Sequence, residues 1–301
     1  MTVPRLIGSN RLILATLVIW ALQPFAAGEL IQTALDSANT GFRQTVSVAA
    51  WGLWALILLA LVVARPVTLT ISRVGIAGGL VGTVWAASDV IRRSGDTPAA
   101  TVTVAVIAMV AAVVSVNLPG IADRFLDGVS YGTEQRFALR PPGPVLLLLV
   151  VPATLLVVVA VTIGPLLLAD QRWVAGGIAT AVGFPIAAVP LNALHRLGNR
   201  FLVFVPNGLV VHDLTTLREP VLFVHREIVG IAPARVGSDA TDITNAALGM
   251  ALELRLHEPL QLPFVTGRTA TESRTVNALL VAPTRPAAVL TAAVQRGIPV
   301  G

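Results

Sequence analysis

The chain has 301 residues, 55% of them hydrophobic and only 12% charged, with a mean hydropathy of +0.80 and a net charge of +5. Soluble domains carry about 25% charged residues, so half the usual charge excludes an ordinary soluble protein and indicates a polytopic membrane protein. All 21 basic residues are Arg and there is no Cys, which excludes disulfides, thiolate nucleophiles and Cys-based metal sites.

Crossing a bilayer as a helix takes roughly 17–25 mostly apolar residues. The first such run, about Arg11–Gly28, follows two Arg residues in the manner of a signal peptide. It is long for a signal core and ends in no convincing cleavage site, so it reads as an uncleaved first span. A polar connection, Glu29–Arg43, leads to span two, Thr45–Ala64, which stops at Arg65-Pro66. Span three covers about Ile71–Val90, with Arg73 and Asp89 near its ends. Span four is Ala99–Leu118, ended by Pro119-Gly120, and spans five and six are Pro144–Leu168 and Val174–Leu194. Positive residues are retained on the cytoplasmic side. With the N-terminus inside, the inner connections hold nine Arg and the outer ones four, which places both termini in the cytoplasm of a plasma (inner) membrane protein. Arg92-Arg93 runs against that count.

Four domains are expected: a four-span region (1–118), a cytoplasmic loop (119–143), a two-span hairpin (144–194) and a cytoplasmic β-rich domain (195–301). The loop, IADRFLDGVSYGTEQRFALRPP, reads as partly helical surface. Beyond residue 195 the hydrophobic period changes from helical to alternating. Arg200–Val205, the turn Pro206-Asn207-Gly208 and Leu209–Asp213 form a hairpin. Further strands are expected at Val221–Arg226, Ile228–Arg235, Met250–His257, Gln261–Val265 and Ala278–Ala282, with a polar loop at Ser238–Asn245. In MALELRLH, Leu252, Leu254 and Leu256 face one way, Glu253 and Arg255 the other. A last helix, Arg285–Arg296, has Thr284 as N-cap, Pro286 in its first turn and Gly297 past its end.

Seven short strands and one terminal helix follow the element order of a pleckstrin-homology-like barrel. NRFLVFVPNGLVVHDLTTLREPVLFVHREIVGI, entered straight from a two-span hairpin, and VAPTRPAAVLTAAVQRGI resemble bacterial membrane proteins that carry such a domain after paired spans. The resemblance covers residues 143–301 and leaves spans one to four unexplained. It implies a membrane-associated interaction or assembly module. It carries no phosphoinositide site to this chain, because no basic cluster lies between the first two strands.

No catalytic signature, cofactor motif or metal motif stands out. Residues 1–118 carry seven Arg against four acids, and residues 195–301 ten against eight. Neither segment has a basic run or basic–aromatic interleaving, so nucleic acid is not an expected partner. His195, His212, His225 and His257 follow no HExxH pattern and read as strand and surface residues. Asp123 and Asp127, four apart, share a helix face and are candidate ligands for a divalent cation. A solvated loop held by Arg124 and Arg136 is the plainer expectation, and Asp123, Asp127 and Arg124 form the candidate functional loop. Ionisable residues at membrane depth raise a transport hypothesis, but Arg73 and Asp89 lie close enough to the span ends to snorkel. Gly75, Gly78, Gly79 and Gly82 form two interleaved small-xxx-small pairs, a face that another helix can approach closely. These features point to a non-enzymatic scaffold, assembly factor or accessory subunit. Its expected partners are membrane lipids and a protein, or a second copy, engaged through span three and the β domain. The alternative is a small transporter or lipid-handling protein with a regulatory cytoplasmic domain.

Overall fold

In the computed structural model, residues 3–93, 98–128, 132–267 and 270–301 are described. The chain divides into two compact units, Met1–Ile121 with Pro152–Ala193, and Ala122–Val151 with Leu194–Gly301.

The first unit is helical: α1 (Val3–Ala21), α2 (Gln23–Leu35), α3 (Thr40–Val62), α4 (Pro66–Arg93) and α5 (Ala99–Val116), then most of α7 (Gly143–Ala169) and α8 (Trp173–Gly198). Counting Arg11–Leu35 as one, six segments among the described residues are long and apolar enough to cross a membrane. The first runs past the expected end at Gly28 and takes in half of the supposed polar connection. Ala27, Leu30 and Ala34 explain why, since they are buried against Ala86, Ala87, Val90 and Ala105. Small side chains on three helices allow close backbone approach, a main source of association energy in lipid. Asn39 then caps α3, its Oδ1 accepting from the Phe42 N–H at 2.8 Å. In α7, residues Leu146–Val150 widen into a π-helical turn just before Pro152, whose missing N–H interrupts the helical ladder.

The second unit begins within α6 (Pro119–Asp127) and is otherwise mostly sheet. One sheet has the order β1-β2-β3-β4, from β1 (Gln135–Ala138), β2 (Phe201–Val205), β3 (Gly208–His212) and β4 (Val221–Val224). The other has the order β5-β7-β8-β6, from β5 (Ile228–Pro233), β6 (Thr241–Asp242), β7 (Leu252–Val265) and β8 (Thr271–Val281). Neighbours are antiparallel except β6, which pairs parallel to β8. The helix α9 (Pro286–Gln295) follows, and its Val289, Ala292 and Ala293 join Leu202, Phe204, Phe223, Leu254 and Val276 in one apolar core. The sheets meet at two corners, through the bridges Leu139↔Pro283 and Leu217↔Phe264, while Val300 bridges to Ile231 on β5.

Several expectations change here. The stretch 119–143, expected as partly helical surface, supplies both α6 and the edge strand β1. Met250–His257 and Gln261–Val265 are one long strand with an irregularity between Arg255 and Leu260. Ala278–Ala282 is only the end of β8, and Ser238–Asn245 contains β6. The α9 N-cap position is Arg285, with no side-chain cap bond. Gly297 does stand just past the helix in the left-handed region (φ 73°), where glycine costs least.

A sheet edge closed by two carboxylates

In β1, Leu139 and the odd-numbered residues before it face β2, as the Leu139 N–H donating to the Arg200 carbonyl at 2.9 Å shows. The N–H groups of Arg136, Ala138 and Arg140 therefore point to the free edge. An unpaired edge is a template for unwanted strand addition. Helix α6 fills it. Asp127 Oδ1 accepts from the Arg136 N–H at 2.7 Å, and Asp123 Oδ1 from the Ala138 N–H at 2.9 Å. The Arg140 N–H continues the row to the Ala282 carbonyl at 2.7 Å. The fit is geometric: four helical residues rise about 6 Å and two strand residues about 6.7 Å, so carboxylates at i and i+4 match alternate strand amides.

Asp123 is buried and also meets Arg285 Nη1 at 3.3 Å. Burial pushes its carboxyl up to about 6, against the downward pull of the Ala138 N–H and Arg285. The solvated-loop expectation is corrected: Asp123 and Asp127 face the protein, and one oxygen of each is committed to a backbone amide. Arg124, on the same helix, keeps its Nε buried without a hydrogen-bond partner. Among the described residues no cluster of three or more His, Asp or Glu could hold a metal ion.

Between β1 and β2 the chain leaves to form the whole α7–α8 hairpin, yet Ala138 and Phe201 are register partners. The hairpin's two feet are thus adjacent. At that point Arg200, 1% exposed, donates from Nε and Nη2 to the two oxygens of Asp213, 0% exposed, at 2.8 and 2.6 Å. Its Nη1 donates to the Arg140 carbonyl at 3.1 Å, and Asp213 Oδ1 also accepts from the Thr215 N–H and hydroxyl at 3.1 and 2.6 Å. Burial alone would raise the Asp213 pKa, but Arg200 and Thr215 hold it below the ordinary carboxylate value. Sequence reasoning missed this pair, although the Pro-Asn-Gly turn contained it: the register that pairs Phe201 with His212 sets Arg200 opposite Asp213. On the outer face, the Phe201 and His212 rings stack at 4.4 Å with Arg136 over Phe201 at 5.3 Å. Burial lowers the His212 pKa.

In the helical unit the glycine face of α4 meets neighbours within the chain. A Cβ on Gly75 would lie 2.7 Å from Ile57 Cδ1, one on Gly78 3.4 Å from Val158, and one on Gly79 3.3 Å from Met109, while Gly82 is open. The tightest packing lies elsewhere and was not anticipated. Within the α7–α8 hairpin, a Cβ on Gly164 would strike the Thr180 backbone N at 2.6 Å, and one on Gly183 would strike the Ala160 carbonyl. Asp89 pairs with Arg93 at 2.9 Å, and Arg73 Nε is buried without a hydrogen-bond partner. An open cleft of about 580 Å³ is lined by Asn39, Phe42, Trp85, Arg93, Ile163 and Asp170 among others. Its charges are already matched, Asp170 by Arg172 at 2.9 Å and Arg93 by Asp89. No family model matches the chain, and neither the curated proteins nor the solved structures include a match.

Proposed function

We propose that the chain is a membrane-embedded scaffold or accessory subunit whose β unit is a pleckstrin-homology-like module presenting a binding surface to a protein partner. The supporting observation is the position of the α7–α8 hairpin between two hydrogen-bonded strands. A domain hung from a linker needs no such insertion. A sheet that closes only when both ends of the hairpin return to it is tied to that hairpin at two points, which suits a module that presents a surface beside a membrane. The up-and-down first sheet, the second sheet and the terminal helix in the core support the barrel reading. One oxygen each of Asp123 and Asp127 accepts from a sheet-edge amide, so an aspartate-based metalloenzyme gains no support.

The β unit faces the cytoplasm on this reading, with both termini on that side. A second reading, lipid handling, draws on the cleft beside Trp85 and Arg93. Co-purification in mild detergent tests the choice. A stoichiometric protein partner, lost when the chain is cut after Gly198, is the expected result. Ligand-dependent flux by the purified chain in proteoliposomes, with no partner recovered, overturns it.

A further inference from the structure

We infer that the loop Ile243–Met250 is a membrane contact of the β unit, seating Leu248 and Met250 in the headgroup and upper acyl zone of the bilayer. This rests on reading Gly143–Ala169 as a span. From Ile243 to Ala251 the sequence ITNAALGMA carries no charge. Its buried end is Ile243, part of the apolar core, while Leu248 is 72% and Met250 54% exposed. Single exposed apolar residues are ordinary, but two on one uncharged loop held beside a span are not.

The loop's position is set by hydrogen bonds to the foot of α7. The Gly143 N–H donates to the Ala246 carbonyl at 3.2 Å, and Arg140 Nη1 to the Leu248 carbonyl at 2.6 Å. Asn245 Nδ2 donates to Thr216 Oγ1 at 2.9 Å. A Cβ on Gly143 would lie 3.1 Å from Leu248 Cγ. Gly143 is the first residue of the apolar helix, so Leu248 lies within a side-chain length of where the chain enters lipid. The headgroup layer there is about 5–7 Å deep on each side of the hydrocarbon. Asn245 and Ala246 both hold positive φ, 52° and 59°, a conformation non-glycine residues adopt at a cost. The loop is thus bent to present its apolar tip beside the span.

The absence of native Cys makes a direct test available on the full chain in phosphatidylcholine vesicles. Single variants Leu248→Cys, Leu148→Cys in the span and Glu272→Cys on β8 carry an environment-sensitive fluorophore. Lipids brominated near the top of the acyl chain then serve as quenchers. The expected result is strong quenching at 248, comparable to that at 148, and none at 272. Quenching at 148 but not at 248 overturns the loop contact alone, as does a label at 248 shielded from aqueous iodide yet untouched by brominated lipid, which would mean a protein partner. Equal quenching at 248 and 272 overturns a local contact. No quenching at 148 removes the span and this inference together.

Discussion

Replacing Asp213 with Ala leaves the Arg200 guanidinium buried with the Arg140 and Ile243 carbonyls, at 3.1 and 3.5 Å, and no counter-charge. Removing one partner of a desolvated pair costs about 3–5 kcal/mol, and the exposures of 1% and 0% place this pair fully in that regime. The double variant Arg200→Met/Asp213→Leu removes both charges. It leaves the Arg140 carbonyl and the Thr215 N–H short of a partner, at about 1 kcal/mol each, so it is expected to be milder than either single change. Labelling of a buried reporter, Val211→Cys on β3 (0% exposed), measures local opening in the full chain. At about 1.4 kcal/mol per tenfold, Asp213→Ala is expected to speed labelling by roughly two to three and a half orders of magnitude, and the double variant by under two. Equal acceleration by both, or less than tenfold by the single change, refutes the argument that charge burial governs this corner.

Asp123 gives a pH signature. Its folded value of about 6 lies above the ordinary 3.8, so folding favours the protonated form. Its contribution is full below about 3.8 and is lost as pH rises through 6. Asp123→Asn keeps an acceptor for the Ala138 N–H and is expected to abolish that dependence in amide exchange of β1, whereas Asp123→Leu is expected to open the edge at every pH. Gly183→Val and Gly164→Val are expected to disrupt the α7–α8 hairpin and reduce yield from the membrane, while Gly82→Ala, with nothing within 4 Å, leaves yield unchanged. Leu254→Asp is expected to unfold the β unit, read as loss of protection at Val211→Cys. Glu253→Gln is tolerated, but Glu253→Lys is not, because Glu253 is buried and accepts from the Ser238 hydroxyl at 2.8 Å.

The six apolar segments were legible because each alone is longer than any soluble strand, and the hairpin at 201–212 because Pro-Asn-Gly and strict alternation agree. Leu252, Leu254 and Leu256 were placed on one face by alternation, and the structure buries all three. The edge strand β1 was illegible because four residues in a polar loop carry no period, and its partner lies over sixty positions away beyond a helical hairpin. The roles of Asp123 and Asp127 were hidden for the same reason, since their i, i+4 spacing was visible but the amides they serve were not. Glu253 alternated outward as expected, yet outward there means under Ser238 and beside Arg255, a neighbourhood that only tertiary structure creates.

The insertion of the hairpin between β1 and β2 orders the making of the protein. During synthesis β1 emerges some sixty residues ahead of Phe201 and must wait, unpaired on its inner side, until the whole α7–α8 hairpin has been made. Non-local pairing of this kind is slow. On the proposed membrane reading, a hairpin that enters the bilayer wrongly leaves β1 and β2 apart and the Arg200 guanidinium without the Arg140 carbonyl. On that reading, maturation of the β unit reports correct insertion of the α7–α8 hairpin, and a misinserted chain exposes an open strand to proteolysis.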